Sequence, residues 1–173
     1  MQEQKFGIKR SRKTTKPKVV CPEIQFYECD HCKSIIQIIG DPTDDFIYCC
    51  KRKINQLLPI DAGEIQAAAT INYRIIGGYN ENAIEVSWQI IEQKDSIEWV
   101  YIKTFTGGQI KYVTNLSKTS FIFALADEDA YVYCDEDPCL ECTFRCKRGF
   151  EIFAYLKNSG LIKIPIERMQ ASW

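Results

Sequence analysis

The 173-residue chain has a net charge of −1, from 22 basic and 23 acidic side chains, so no bulk electrostatic pull toward nucleic acid or a membrane surface is expected. Its 46% hydrophobic and 12% aromatic content suits a chain that buries a core, and no stretch is long and apolar enough to span a bilayer. A single histidine, His31, beside nine cysteines excludes any site built from several imidazoles.

The N-terminal stretch lacks an apolar signal core, so a cytoplasmic protein is expected. In that compartment nine cysteines read as metal ligands or redox groups rather than structural disulfides, and the odd count argues against a closed set of bridges. Residues 1–20 hold Lys5, Lys9, Arg10, Arg12, Lys13, Lys16 and Lys18 against one acid, Glu3. With Phe6 the one aromatic residue among these charges, the segment reads as a solvated tail rather than as a docking arm for an acidic partner or nucleic acid.

Residues 21–58 form a compact cysteine-bearing unit. "FYECDHCKSIIQIIGDPTDDFIYCC" places Cys29 and Cys32 two residues apart, and then Cys49 and Cys50 side by side. Metal–sulfur bonds near 2.3 Å in a tetrahedron set the sulfurs roughly 3.8 Å apart, a separation that a C-x2-C turn supplies. A four-cysteine metal site is the leading reading, with disulfides or free thiols as the alternatives. Iron and zinc both accept tetrahedral sulfur, so spacing does not separate them. His31 lies inside the turn and reads as a solvent-facing loop residue. "SIIQII" predicts a short strand and "GDPTDD" a turn, while "LLPIDAGEIQAAAT" reads as an extended linker.

From about residue 70 the pattern is β throughout. "TINYRII", "AIEVSWQII", "IEWVYIKTF", "QIKYVTNL", "SFIFALA" and "AYVYC" are rich in β-branched and aromatic residues and separated by turn residues. Short strands at this spacing predict an antiparallel sandwich or barrel, with Trp88 and Trp99 as core or sheet residues. "FEIFAYLKNSGLIKIPI" predicts a hairpin turning at Asn158-Ser159-Gly160. Before it, Cys134, Cys139, Cys142 and Cys146 are spaced C-x4-C-x2-C-x3-C. These four cysteines suit a second metal site or an iron–sulfur cluster, with disulfides or redox-active free thiols as alternatives. Cys21 reads as a free thiol, and the acids at 127–129 and 135–137 as a solvated loop face.

The stretch 26–50, with an aromatic pair before the first cysteine and the doublet after an apolar run, resembles desulforedoxin. It equally resembles the N-terminal domain of the desulfoferrodoxin (two-iron superoxide reductase) family. Lys33 stands where that family usually has glycine. Residues 60–134 continue the resemblance more weakly. Glu64-Ile65-Gln66 is similar to the family's E-K-H, residues 89–99 align on H-P-x4-H-Y-I-x-W, "GGQIK" matches a family hairpin, and "YCDED" at 133–137 resembles Y-C-N-x-H.

The resemblance implies an all-β chain. Residues 21–58 would be a desulforedoxin-like, rubredoxin-like domain holding one iron on Cys29, Cys32, Cys49 and Cys50. Residues 59–173 would be an immunoglobulin-like antiparallel β-sandwich with a Cys-rich loop at 134–146 and a C-terminal hairpin extension. In the family, four imidazoles and an axial thiolate hold the catalytic iron. Here the corresponding pocket reads Glu64, Gln66, Gln89, Asp95, Cys134 and Asp137, so the four-histidine centre is gone. Three readings follow: an iron protein that transfers electrons through the first four-cysteine centre, a superoxide reductase with an altered metal site, and a zinc-stabilised binding module without catalysis. A redox partner protein and a homodimer are implied by the resemblance.

Overall fold

The computed structural model describes residues 22–40, 46–61, 69–77, 82–92, 94–115, 117–130, 147 and 149–166. Among these residues there is no α-helix; one 3-10 turn, Asp127–Ala130, interrupts a run of strands. A small sheet is built from β1 (Ile24–Glu28), β2 (Ile35–Ile39) and, after the two-residue strands β3 (Tyr48–Cys49) and β4 (Arg52–Lys53), β5 (Asn55–Gln56). Its order is β2-β1-β5, and β3 and β4 pair as a separate ribbon.

The larger part is a sandwich. Its elements are β6 (Ile60–Asp61), β7 (Ala69–Ile76), β8 (Ala83–Ile90), β9 (Ile97–Lys103), β10 (Gly108–Tyr112), β11 (Ser120–Ala124), β12 (Glu151–Leu156) and β13 (Gly160–Pro165). One sheet runs β10-β9-β12-β13-β6 and the other β11-β8-β7. Between them lie Ile84, Val86 and Trp88 of β8, Phe121 and Phe123 of β11, Val100 and Ile102 of β9, and Ile152, Ala154 and Leu156 of β12. In β8 and β11 the buried residues alternate with less buried ones, as expected for a sheet with one dry face.

β9 and β12 break that alternation, and the reason places the site. Every residue of β9 except Glu98 is buried, and every residue of β12 except Glu151. Their second face carries Trp99, Tyr101, Phe153 and Tyr155, and Phe26 of β1 packs onto it with Leu161. The central sheet is thus covered on both faces, by the β7–β8–β11 sheet on one side and the cysteine-bearing unit on the other. Strands dry on both faces read as continuous apolar runs, as residues 99–102 of β9 and 152–156 of β12 do.

The C-terminal hairpin forms as read, with Leu156 opposite Gly160. It is no appendage, because β12 sits between β9 and β13 in the middle of the sheet. The expected linker is also more structured than its composition suggests. Ile60 and Asp61 pair in parallel with Ile162 and Lys163, covering a β13 edge that would otherwise present open backbone groups. At the sandwich's other side, Gln109 Nε2 donates to Ala124 O and Lys111 Nζ to Ile122 O, tying β10 to the edge of β11. Gly108 is required where it stands, since a Cβ there would lie 2.0 Å from the Tyr101 hydroxyl oxygen. The predicted strand "AYVYC" and the Cys-rich run lie outside the described residues. Their flanks, Ala130 and Lys147, are joined by the buried Lys147 ammonium, which donates to Ala130 O at 2.7 Å and to Asp129 O at 3.2 Å.

Candidate metal centre

Two tight turns bring the first four cysteines together. β1 ends at Glu28, and the chain folds back through Cys29-Asp30-His31-Cys32. Lys33 N–H donates to Cys29 O at 2.8 Å, and Cys29 N–H to Ser34 O at 3.0 Å. Reversal within so few residues forces Lys33 into the left-handed region at φ +58, a conformation that disfavours side chains with a Cβ. The second turn is the β3–β4 ribbon, with Tyr48 opposite Lys53 and Cys49 opposite Arg52. Its two connecting residues, Cys50 and Lys51, both have positive φ, +50 and +60. A two-residue hairpin turn with both central φ positive ordinarily selects Asn-Gly. Placing Cys and Lys there costs about 1–2 kcal/mol per residue, and the result is that Cys49 and Cys50 turn their sulfurs to the same place.

The sulfurs of Cys29, Cys32, Cys49 and Cys50 all lie within 4.8 Å of one another. Cys32 Sγ is 3.6 Å from Cys49 Sγ, and Cys49 Sγ is 4.0 Å from Cys50 Sγ. These separations bracket the roughly 3.8 Å edge of a tetrahedral metal–thiolate cage. The four thiols are unbridged. Cys29 is buried at the base, while Cys32 and Cys50 are exposed, so the centre opens to solvent on one side.

The acid–base state of Cys32, Cys49 and Cys50 points the same way. The Cys32 thiol is pulled down to about 6, first by the Ser34 hydroxyl and then by the Ser34 backbone, Cys29 and Cys49. Cys49 is pushed up to about 12, first by its contact with Cys32, and Cys50 is raised from the same cause. The Cys32 thiolate forms readily and is held by hydrogen bonds from its neighbours, which keep their protons for that reason. A cation among the four sulfurs would take the place of those protons and deprotonate the rest. The donor set therefore fits a thiophilic metal such as iron or zinc.

Around the centre, Glu28 is the hinge to the sandwich. It pairs with Lys33 Nζ at 3.3 Å and accepts a hydrogen bond from the Tyr155 hydroxyl at 2.5 Å. Burial, followed by this carboxylate, raises the Tyr155 pKa well above its usual value. Phe26, three residues before Cys29, meets Trp99 at 5.0 Å and Phe153 at 5.5 Å between ring centroids, and Trp99 stacks on Tyr155 at 5.4 Å. His31 is exposed in the loop.

The residues that the resemblance places in a second pocket lie as follows. Gln89 is exposed on β8, opposite Thr70. Asp95 is buried in the β8–β9 loop, where its oxygens are fully engaged. Oδ1 accepts from Ser96 N at 2.8 Å and Asn158 N at 3.0 Å, and Oδ2 accepts from Ser159 N at 3.1 Å and from the Ser159 hydroxyl. Asp95 thus clamps the β12–β13 turn, a role that the position of "NSG" in a hairpin did not signal, because the partner lies more than sixty residues away. Glu64, Gln66, Cys134 and Asp137 lie outside the described residues, as do Cys139, Cys142 and Cys146. Among the described residues, the first four cysteines are the one set of three or more His, Cys, Asp or Glu side chains grouped to hold an ion.

No protein-family description matches the chain, and neither does any curated sequence. The crystal structure of the superoxide reductase from Treponema pallidum is similar in fold. It superimposes with a TM-score of 0.53 over 83% of this chain and 98% of that one, at 13% identity. At that identity the likeness is one of architecture. It accords with the all-β sandwich, and it assigns no chemistry to this chain.

Proposed function

We propose that this protein is a desulfoferrodoxin-like iron protein that exchanges single electrons at the Cys29, Cys32, Cys49 and Cys50 centre. The observation that carries the proposal is the cage itself: four unbridged sulfurs within 4.8 Å of one another, buried at Cys29 and open to solvent at Cys32 and Cys50. Iron bound there would supply a one-electron change of oxidation state. Four thiolates close its coordination shell and offer no open position for a substrate, so the centre acts as a carrier. The chain's own contribution is positional. The turns at Lys33 and at Cys50-Lys51 bring the sulfurs together, and Glu28 holds the loop against Tyr155. An altered superoxide reductase is the weaker reading, because both oxygens of Asp95 serve the turn and leave no lone pair directed at a metal. Cys134, Cys139, Cys142 and Cys146 are proposed as a second metal or cluster site, and a redox protein as the partner.

Metal analysis with visible spectroscopy tests the proposal. A red protein with one iron per first site and sulfur-to-metal charge transfer is expected, and Cys49→Ser should bleach it. A colourless protein with stoichiometric zinc would replace electron transfer by a zinc-stabilised binding module.

A further inference from the structure

The rim through which this centre reaches solvent is chemically distinctive. Cys50 is exposed at the tip of the β3–β4 ribbon, and the three residues that follow it, Lys51, Arg52 and Lys53, are all exposed. Among the described residues Lys51 and Arg52 make no ion pair, and the Lys53 ammonium sits 3.2 Å from the centre of the Phe46 ring. Phe46 and Tyr48 are themselves exposed large side chains on the same ribbon. Of the described acids in this unit, Glu28 is held by Lys33 and Tyr155, and Glu23 and Asp30 are exposed, Asp30 in the turn between Cys29 and Cys32. Three consecutive cations and two exposed rings therefore border the exposed sulfur of Cys50.

We infer that the β3–β4 ribbon is a docking surface for an acidic protein partner, with Lys51 and Arg52 steering and Phe46 and Tyr48 supplying the apolar contact. The inference rests on the electron-exchange reading for its purpose, since an electron crosses only where a partner comes close to the sulfurs. Its physical basis is independent: exposed like charges with no ion-pair partner among the described residues attract the opposite charge over about 10 Å at ordinary salt and govern association rate more than final affinity. Aromatic groups beside such charges give the short-range contact that holds an encounter complex.

The metal-independent test uses poly-L-glutamate as the probe, with binding to the full-length holoprotein followed by calorimetry. Saturable binding that weakens about tenfold between low and physiological salt is expected. Arg52→Glu/Lys53→Glu, at two positions beyond the Cys50-Lys51 turn, should weaken it at least tenfold with the metal content and visible spectrum unchanged. Neutralising the seven basic residues at 5–18 should leave most of the binding in place. Binding that follows the tail, or that ignores the ribbon reversal, would overturn the inference. A second measurement uses the reduced protein and hexacyanoferrate(III), which accepts one electron to become hexacyanoferrate(II) as the protein's iron(II) becomes iron(III), with no proton moved. That rate should fall with added salt in the wild type and lose its salt dependence in Lys51→Gln/Arg52→Gln. A protein inert to hexacyanoferrate but bound by poly-L-glutamate through the ribbon would retain the docking surface and sink the electron-transfer reading. The opposite pattern, with rapid oxidation unaffected by salt or by either ribbon variant, would do the reverse.

Discussion

The hydroxyl of Tyr155 on β12 donates to the carboxylate of Glu28 on β1 across 127 residues of sequence, and Glu28 immediately precedes the first cysteine of the cage. A hydrogen bond to a charged acceptor contributes about 1.5–3 kcal/mol, and here it ties the metal loop to the central sheet. Tyr155→Phe keeps the stacking on Trp99 and leaves Glu28 with Lys33 alone. It should lower unfolding stability by about 1–2 kcal/mol in denaturant titration, while the spectrum of the bound metal stays unchanged. A change in that spectrum would show that Tyr155 acts on the cage and not merely on its attachment.

The strained turn makes a prediction of the opposite sign. Lys51 holds φ +60 in a turn position that glycine fills without strain. Lys51→Gly relieves about 1–2 kcal/mol of left-handed strain and gives back about 0.5–1 kcal/mol in backbone entropy. The chelated protein should therefore gain roughly 0.5–1 kcal/mol in unfolding stability. A loss of stability would mean that the Lys51 side chain makes a contact which outweighs its backbone strain.

Much of this was legible in the chain and some was not, for physical reasons. The cage was readable because C-x2-C and C-C are local: the sulfurs are brought together by turns of two to four residues. The strands of the sandwich were readable from β-branched and aromatic runs, and the last hairpin from Asn158-Ser159-Gly160. What the sequence concealed is non-local. Nothing in "EIFAYL" says that it lies between β9 and β13, although its unbroken apolar run does signal burial on both faces. The brevity of β6, two residues in a stretch of linker composition, leaves no periodicity to detect. Asp95 reads as a pocket residue from the resemblance, and only the fold reveals that its oxygens clamp a turn.

That clamp sets an acid limit. Burial pushes the Asp95 carboxyl up, but the Ser159 hydroxyl and the backbone N–H groups of Asn158, Ser96 and Ser159 outweigh it and hold the pKa below the ordinary 3.8. Because folding lowers this pKa, the clamp's stabilisation is fully present above the unfolded value and disappears as pH falls through the folded one. Asp95→Asn should destabilise the protein by about 1–2 kcal/mol at neutral pH and flatten the stability profile below about pH 4. Equal acid sensitivity in the wild type and the variant would assign the acid limit to other carboxylates.

Metal removal should act unevenly. β1 is held by a five-residue ladder to β2 and by Phe26 in the aromatic cluster, both independent of the cysteines. The β3–β4 ribbon has two residue pairs, two left-handed residues and one further backbone bond, Ile54 N–H to Ile47 O at 2.9 Å. A chelator should speed amide hydrogen exchange across residues 47–54 by an order of magnitude or more and leave residues 24–28 protected. Uniform loss of protection over both segments would mean that the metal holds the whole unit onto the sandwich.

Phe26 is then the residue that keeps the cysteine-bearing unit seated when the metal is gone. Its ring meets Trp99, Tyr101 and Phe153 at 5.0 to 5.5 Å between centroids, and its backbone carbonyl accepts from Leu57 N–H at 2.8 Å. Truncating a buried phenylalanine costs about 3–5 kcal/mol through lost contacts and the cavity left behind. Phe26→Ala should lower stability by that amount and raise the solvent exposure of Trp99, read as a red shift of its emission. The sulfur geometry depends on turns that Phe26 does not touch, so the variant should still bind one metal with an unaltered charge-transfer spectrum. Loss of the metal together with the seating would show that the cage needs the central sheet as its floor, and that the two turns alone do not build it.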